Sequence, residues 1–376
     1  MDRWLALRDR LLASRSFQRR AAAFAPTAPI AHKRAGELFD LVAGFVYSQV
    51  LLACVQLRLF DALAEGPQTL EALSGRLALP GESTERLMAA AVALRLVERR
   101  GDGRFGLGSL GAPMVGNTAI AAMVEHHAAL YADLADPVAL LRGQRAASSL
   151  ARYWPYADEA SPGELSVASV AGYSALMSAS QPLVADEILD AYPLDGHRCL
   201  LDVGGGEGGF LASAALRAPA LQLMLFDLPA VVERARARRD AAGLTHRMQL
   251  FGGSFLTDRL PEGADVASLV RVIHDHDDAT ALHILRAVRR ALPAGGTLLL
   301  AEPMAGTPGA EAMGDAYFGF YLLAMGRGRP RSAAALRSML LAAGFDRVRQ
   351  VKTRMPLQTG LLIAHVGIAS AAAKGV

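Results

Sequence analysis

Residues 200–210 read LLDVGGGEGGF, and no other stretch limits the fold as strongly. Leu200, Leu201 and Asp202 close an apolar run that reads as a buried strand. Gly204, Gly205 and Gly206 follow, then Glu207, Gly208 and Gly209, and an Ala-rich run from Phe210 to Leu216 reads as a helix. A strand that breaks into glycines and re-forms as a helix brings bare backbone next to a ligand. Glycine accepts positive φ and has no Cβ to block close approach.

The G-x-G-x-x-G match from Gly204 to Gly209 is a weak signal alone. Residues 221–229, LQLMLFDLP, sharpen it, because they read as a second strand ending in Asp227. That acid falls roughly 20 residues after the glycines, where a carboxylate accepts hydrogen bonds from a ribose diol. No Gly-Lys-Ser/Thr follows the glycines, which excludes a Walker-type phosphate loop. Two nucleoside ligands remain open on these residues: a nicotinamide dinucleotide or S-adenosylmethionine.

A net charge of +3 is too small to argue for nucleic acid, and the arginines of 234–239 read as a solvated helix face. Two isolated cysteines, Cys54 and Cys199, make neither a disulfide framework nor a zinc site, so a reducing cytoplasm is expected. No signal peptide is visible. The N-terminus is basic and amphipathic, with Trp4, Leu7 and Leu11 among Arg3, Arg8 and Arg10, and suits packing on a partner or a membrane surface. The apolar run Leu41–Phe60 is interrupted by Ser48, Gln49, Gln56 and Arg58, which favours a core or dimer interface over a membrane span.

Up to about Tyr192 the chain reads as helical. Helices over 68–79 and 82–98, with Thr69 and Ser83 to Arg86 as starts, precede a hairpin in VERRGDGRFGL, a winged-helix pattern. The second helix lacks base-reading side chains, so a dimerising role is expected rather than DNA binding. From Leu194, strands LLDV, LMLFDL, MQLFGG, VASLVRVI and GGTLLLAEP alternate with helices. The α/β fold expected is a Rossmann-like doubly wound sheet with ligands at the carboxyl ends of its strands. The domain scheme is an amphipathic segment 1–36, a helical winged-helix-like dimerisation and substrate-lid domain 37–192, and a catalytic domain 193–376.

The fourth strand runs into RVIHDHDD, residues 271–278. A helix N-terminus explains the aspartates as caps, but not a histidine at the strand end, where a catalytic base would stand. His276 is expected to be exposed. Adjacent residues in such a run do not converge on one ion, so no metal site is expected.

The order LLDVGGGEGGF, FDLP, GGSF, RVIHDHDD and LPAGGTLLLAEP resembles the class I S-adenosylmethionine-dependent methyltransferases, in particular the O-methyltransferases of plant phenolics and acetylserotonin. The likeness covers about residues 37–367. The segments FDLVAGFVYSQVLLACVQLRLFDAL, RVIHDHDD and AEPMAGTPG look most like the bacterial carotenoid enzymes, the demethylspheroidene (hydroxyneurosporene) O-methyltransferases. Those methylate the tertiary C-1 hydroxyl of acyclic carotenoids. The resemblance implies a homodimer with a winged-helix-like dimerisation domain before a Rossmann-like catalytic domain. It also implies a lipophilic carotenoid substrate, contact with the inner photosynthetic membrane, and no nucleic-acid partner. A nicotinamide-dependent oxidoreductase, a DNA-binding regulator and an enzyme for phenolic or polyketide hydroxyls are the alternatives.

Residue by residue, the resemblance places Gly204, Gly205 and Gly206 against the methionine part of the cofactor and Asp227 on its ribose. Gly253, Ser254 and Phe255 stand at the family's Gly-Asp-Phe/Met turn, with Phe255 against the adenine and Ser254 replacing the usual Asp. Arg271 would help bind the cofactor, His274 matches the catalytic base, and Glu302 matches an acid that orients it. Met177, Gln181, Phe318 and Tyr321 are substrate candidates. A second flanking acid of the plant enzymes would fall near Pro330, where none stands; Asp315 is nearby but is no motif match, and the plant Trp after His-Asp is His276 here.

Overall fold

The computed structural model describes residues 1–144, 149–150, 181–357 and 359–368. Two compact units part at Glu125, Met1–Glu125 and His126–Val376. The division lies within the helix Thr118–Asp133. One helix runs through residue 36, from Ala28 to Gln56.

The first unit opens with α1 (Asp2–Ala13), α2 (Arg15–Ala23) and α3 (Ala28–Gln56), followed by α4 (Leu59–Ala64), α5 (Leu70–Leu77) and α6 (Gly81–Ala93). Thr69 caps α5 through its Oγ1, which accepts from Ala72 N at 3.2 Å. α6 begins at Gly81, directly after Pro80, without a side-chain cap, so Ser83 to Arg86 lie inside the helix rather than before it. β1 (Val97–Arg99) and β2 (Phe105–Leu107) form the expected antiparallel hairpin. Leu59, Phe60, Leu73, Met88 and Phe105 form the core of this unit, each contributing roughly 1.5–3 kcal/mol by burial. The apolar run of α3 divides. Cys54 is buried in that core, and burial pushes its thiol up to about 12, whereas Leu41, Val42 and Phe45 are exposed in the single chain.

After α7 (Thr118–Asp133), in which the division falls, the second unit carries α8 (Pro137–Leu141) and a helix through 181–191 (α9) before its sheet. The strands are β3 (Cys199–Val203), β4 (Gln222–Asp227), β5 (Met248–Gly252), β6 (Val266–Val270), β7 (Thr297–Glu302), β8 (Arg347–Val351) and β9 (Gly360–His365). Their order is β5-β4-β3-β6-β7-β9-β8. β3 to β7 are parallel, and β9 is antiparallel to β7 and to β8. The antiparallel pair β8 and β9 adds an edge beyond the five expected strands. α10 (Gly209–Arg217), α11 (Pro229–Ala241), α12 (Asp278–Ala291), α13 (Phe318–Met325) and α14 (Ala333–Ala342) complete the unit.

The sheet is covered on both faces, which is why its strands are continuous apolar runs. Leu201, Met224, Ala267 and Leu298 point to the side packed by α12 and α14. Leu200, Leu223, Val266 and Leu299 point to the side packed by α9 and α10. From β3 the chain builds outward one way through β4 and β5, then returns to build the other way through β6 and β7. That reversal opens a crevice at the carboxyl ends of β3 and β6, where ligands of doubly wound sheets bind.

Candidate active site

Each of the five parallel strands delivers candidate residues at this end. The glycine turn follows β3, Asp227 ends β4, Gly253 follows β5, Arg271 and His274 follow β6, and Glu302 ends β7.

The glycine turn needs its glycines. Gly204 and Gly206 have φ of +69° and +59°. A Cβ on Gly205 would lie 2.7 Å from Asp202 Oδ2, so only glycine lets the backbone pass over this acid. Asp202 is 1% exposed; Oδ1 accepts from Ser268 Oγ at 2.6 Å, while Oδ2 has no hydrogen-bond partner within the protein. Burial pushes its carboxyl up to about 7, against the Ser268 bond. Asp227 accepts from Gly206 N and Leu228 N, both at 2.7 Å, and burial pushes it up to about 6 against these two bonds. A buried acid with one oxygen short of a donor, Asp202, and a half-buried one at the end of the next strand, Asp227, suit a ligand that brings hydroxyl and ammonium hydrogens. A nucleoside with an amino-acid tail fits that description.

Gly253 N donates to Asp227 O at 2.9 Å, which brings the GGSF turn to the end of β4. Ser254 is used within its own turn, its Oγ accepting from Leu256 N at 3.3 Å. An acid does reach this turn: Asp258 Oδ2 accepts from Ser254 N at 2.8 Å. Phe255 packs edge-on against His276, with ring centroids 5.4 Å apart. His276 is therefore half-buried rather than exposed, and burial pushes its imidazole down to about 4.

β6 stops at Val270, short of the VASLVRVI run expected, because Arg271 takes a left-handed φ of +57°. Its Nη2 donates to Gln181 Oε1 at 2.6 Å. Gln181, expected on the substrate side, thus stands beside Arg271 and against Gly209 at the start of α10. The chain then turns tightly through Ile273–Asp275, which carries His274. Glu302 organises that turn: Oε1 accepts from Val272 N at 3.1 Å and Ile273 N at 2.7 Å, and Oε2 bonds His274 Nδ1. One carboxylate fixes both the backbone and the imidazole.

His274 Nε2 lies 3.1 Å from Asp275 Oδ1. Burial alone would push the imidazole down, but the carboxylates of Asp275 and Glu302 outweigh it, and the net effect is to raise it above its ordinary value. Asp275 is pushed up by burial to about 7. His274 and Asp275 therefore titrate as a pair. Of Asp275, Asp277 and Asp278, each of which reads from sequence as a helix cap, it is Asp277 that caps α12, its side chain accepting from Thr280 N at 2.8 Å.

Phe318 closes the site, its ring edge-on to His274 at 5.9 Å. Tyr317 packs edge-on to Phe318 at 5.1 Å and stacks on Tyr321 at 5.8 Å. The hydroxyls of Tyr317 and Tyr321 bond His127 Nε2 and His126 Nε2, each at 2.8 Å. Tyr321 is also packed with Leu322 and Met325 in an apolar cluster, so its ring serves the core while Phe318 faces the histidine. Asp315 accepts from Gly306 N at 2.8 Å instead of joining His274. Met177 lies outside the described residues. No group of three or more His, Cys, Asp or Glu among the described residues is placed to hold a metal ion.

Residues 39–124 match the O-methyltransferase dimerisation domain and residues 131–346 the O-methyltransferase domain. The chain is 46% identical over 340 residues to demethylspheroidene O-methyltransferase of Cereibacter sphaeroides, covering 90% of this chain and 89% of that one. The enzyme of the same name from Rhodobacter capsulatus is 42% identical, covering 89% of this chain and 83% of that one. The structure of human N-acetylserotonin methyltransferase shares the fold, with a TM-score of 0.73 at 24% identity, covering 89% of this chain and 98% of that one. These matches set aside the oxidoreductase and DNA-binding alternatives. The strand-end histidine held by a buried glutamate thus stands in a chain that belongs to the O-methyltransferase family.

Proposed function

We propose that this enzyme transfers the methyl group of S-adenosylmethionine to the tertiary C-1 hydroxyl of an acyclic carotenoid, with His274 as general base. The observation that carries the reading is the junction of His274 and Glu302 at the carboxyl ends of β6 and β7. The donor, when bound, supplies an electrophilic methyl on a sulfonium whose sulfur leaves as a neutral thioether. Gly204 to Gly206 and Asp202 would hold its amino-acid end, Asp227 its ribose, and Phe255 its adenine.

The protein's main task is alignment of acceptor oxygen, methyl carbon and sulfur. Glu302 accepts a hydrogen bond from His274 Nδ1–H, which keeps the proton there and leaves Nε2 as the accepting nitrogen. An acceptor hydroxyl takes the place of the Asp275 oxygen at Nε2. An imidazole cannot deprotonate an alkanol in advance, so the proton passes to Nε2 as the O–C bond forms. Phe318 covers the ring and limits water, and its apolar surface suits a lipophilic acceptor.

The printed names of the two bacterial relatives support the carotenoid acceptor. Products formed from a labelled methyl donor, with hydroxyneurosporene and a panel of phenols offered together, test it by mass spectrometry. Methylated carotenoid is the expected product; methylation confined to phenols would reject this acceptor.

The dimerisation match supports a homodimer, in which a second copy would cover Leu41, Val42 and Phe45 of α3. Peripheral membrane contact is supported by the exposed Trp4, Leu7 and Leu11 on one side of α1, flanked by Arg3, Arg8 and Arg10. Flotation with anionic liposomes should be lost on removing residues 1–30. Equal flotation of both forms would reject the anchor.

A further inference from the structure

The turn that carries His274 is also held from behind, by residues that no motif singles out. Arg331 is 5% exposed. Its Nη1 donates to Ile273 O at 2.8 Å and its Nη2 to His276 O at 2.7 Å. Its Nε donates to Asp278 Oδ1 at 2.9 Å, which fixes the plane of the guanidinium. The two carbonyls lie on either side of His274 in the chain. They belong to a short turn of irregular backbone, where buried carbonyls need donors from elsewhere.

A second contact comes from the same segment. Gly328 has a φ of +79°, and a Cβ there would lie 2.1 Å from His274 O and 2.8 Å from Asp275 Cα. Arg329 N donates to His274 O at 2.9 Å. Residues 328–331 therefore lie directly against the back of the turn, and three carbonyl-directed bonds, two from one guanidinium and one from the backbone, fix its path.

We propose that Arg331 is a positioning residue for His274: its guanidinium spans the carbonyls of Ile273 and His276 and thereby sets where the imidazole stands between Glu302 and the acceptor. A planar fork is required, because one ammonium cannot meet both carbonyls and Asp278 in a single geometry. Gly328 is the companion feature, a position where backbone must approach backbone. The charged groups that bear on the imidazole are Glu302 from β7, Asp275 from the same turn and Arg271 at the end of β6. Arg331 acts on the turn rather than on the ring. The kinetic consequence rests on His274 being the base; the geometric one does not.

The experiment uses the full-length enzyme labelled with ¹⁵N-histidine, as wild type, Arg331→Lys and Gly328→Ala. The His274 ring signals are identified by their loss in His274→Ala. Arg331→Lys should displace those signals and their titration midpoint and lower kcat about 10- to 100-fold, the scale of a misplaced reacting group. KM for the methyl donor and the Kd for S-adenosylhomocysteine should stay within about twofold. Gly328→Ala, which keeps the guanidinium but pushes on His274 O, should give the same split. Unchanged His274 signals in both variants overturn the proposal, as does a fall in kcat matched by equal losses of cofactor affinity and thermal stability. Displaced His274 signals with full turnover, in an enzyme where His274→Ala is also active, uphold the positioning role and reject the base assignment instead.

Discussion

Replacing Glu302 by glutamine removes one charge and little else. Glu302 is 1% exposed, and its Oε1 accepts from Val272 N and Ile273 N at 3.1 and 2.7 Å. A glutamine carbonyl can keep both of these bonds, so the turn should survive. The other end of the side chain changes character: where Oε2 accepts from His274 Nδ1, the amide offers N–H. Nδ1 must then become the acceptor, which places the ring proton on Nε2, the nitrogen that has to receive the proton of the acceptor hydroxyl. A buried charge-assisted hydrogen bond contributes about 1.5–3 kcal/mol, and the wrong tautomer adds to its loss. A total of about 3–4 kcal/mol corresponds to a fall in kcat of roughly 10²- to 10³-fold. Transfer of labelled methyl at saturating donor and acceptor measures it, with the Kd for S-adenosylhomocysteine as a control expected to change less than about twofold. A kcat within about threefold of wild type would refute the reasoning.

The pH dependence has a definite sign. The base must be neutral, and the carboxylates of Asp275 and Glu302 outweigh burial to raise the His274 imidazole, so kcat/KM should rise with pH through a midpoint above about 6.5. Asp275→Asn should move that midpoint down; a midpoint that stays put would show that the Asp275 charge does not act on the ring. Asp227→Ala should weaken S-adenosylhomocysteine binding about 10- to 100-fold by calorimetry, since bonds to a charged acceptor contribute about 1.5–3 kcal/mol, and an unaltered Kd contradicts the ribose role. Gly205→Ala places a Cβ 2.7 Å from Asp202 Oδ2 and should lower cofactor affinity at least about 10-fold, whereas wild-type affinity would mean that the turn yields at no cost.

What the sequence made legible was what a strand-turn-helix unit encodes locally. Gly204 to Gly206, Asp227, His274 and Glu302 all fall at strand ends, and strand ends can be read from apolar runs. The hairpin and the Thr69 cap were legible for the same reason. Contacts between distant segments left no local pattern. His126 and Tyr321 stand 195 residues apart, and Arg331 reaches Ile273 across 58 residues. Arg331 reads locally as one more arginine in GRGRPRS, and Asp275 as one more helix cap, until the fold brings them to His274. The end of β6 was misplaced because hydrophobicity continues through Val272 and Ile273 while the backbone turns at Arg271. β8 and β9 escaped because alternation of βα units predicts only the parallel strands.

The central claim is that His274 accepts the proton of the acceptor hydroxyl during methyl transfer. Turnover of His274→Ala, with cofactor affinity measured on the same preparation, tests this most directly. The account predicts a kcat at least about 100-fold below wild type with the Kd for S-adenosylhomocysteine nearly unchanged. Wild-type turnover in the purified variant would contradict it.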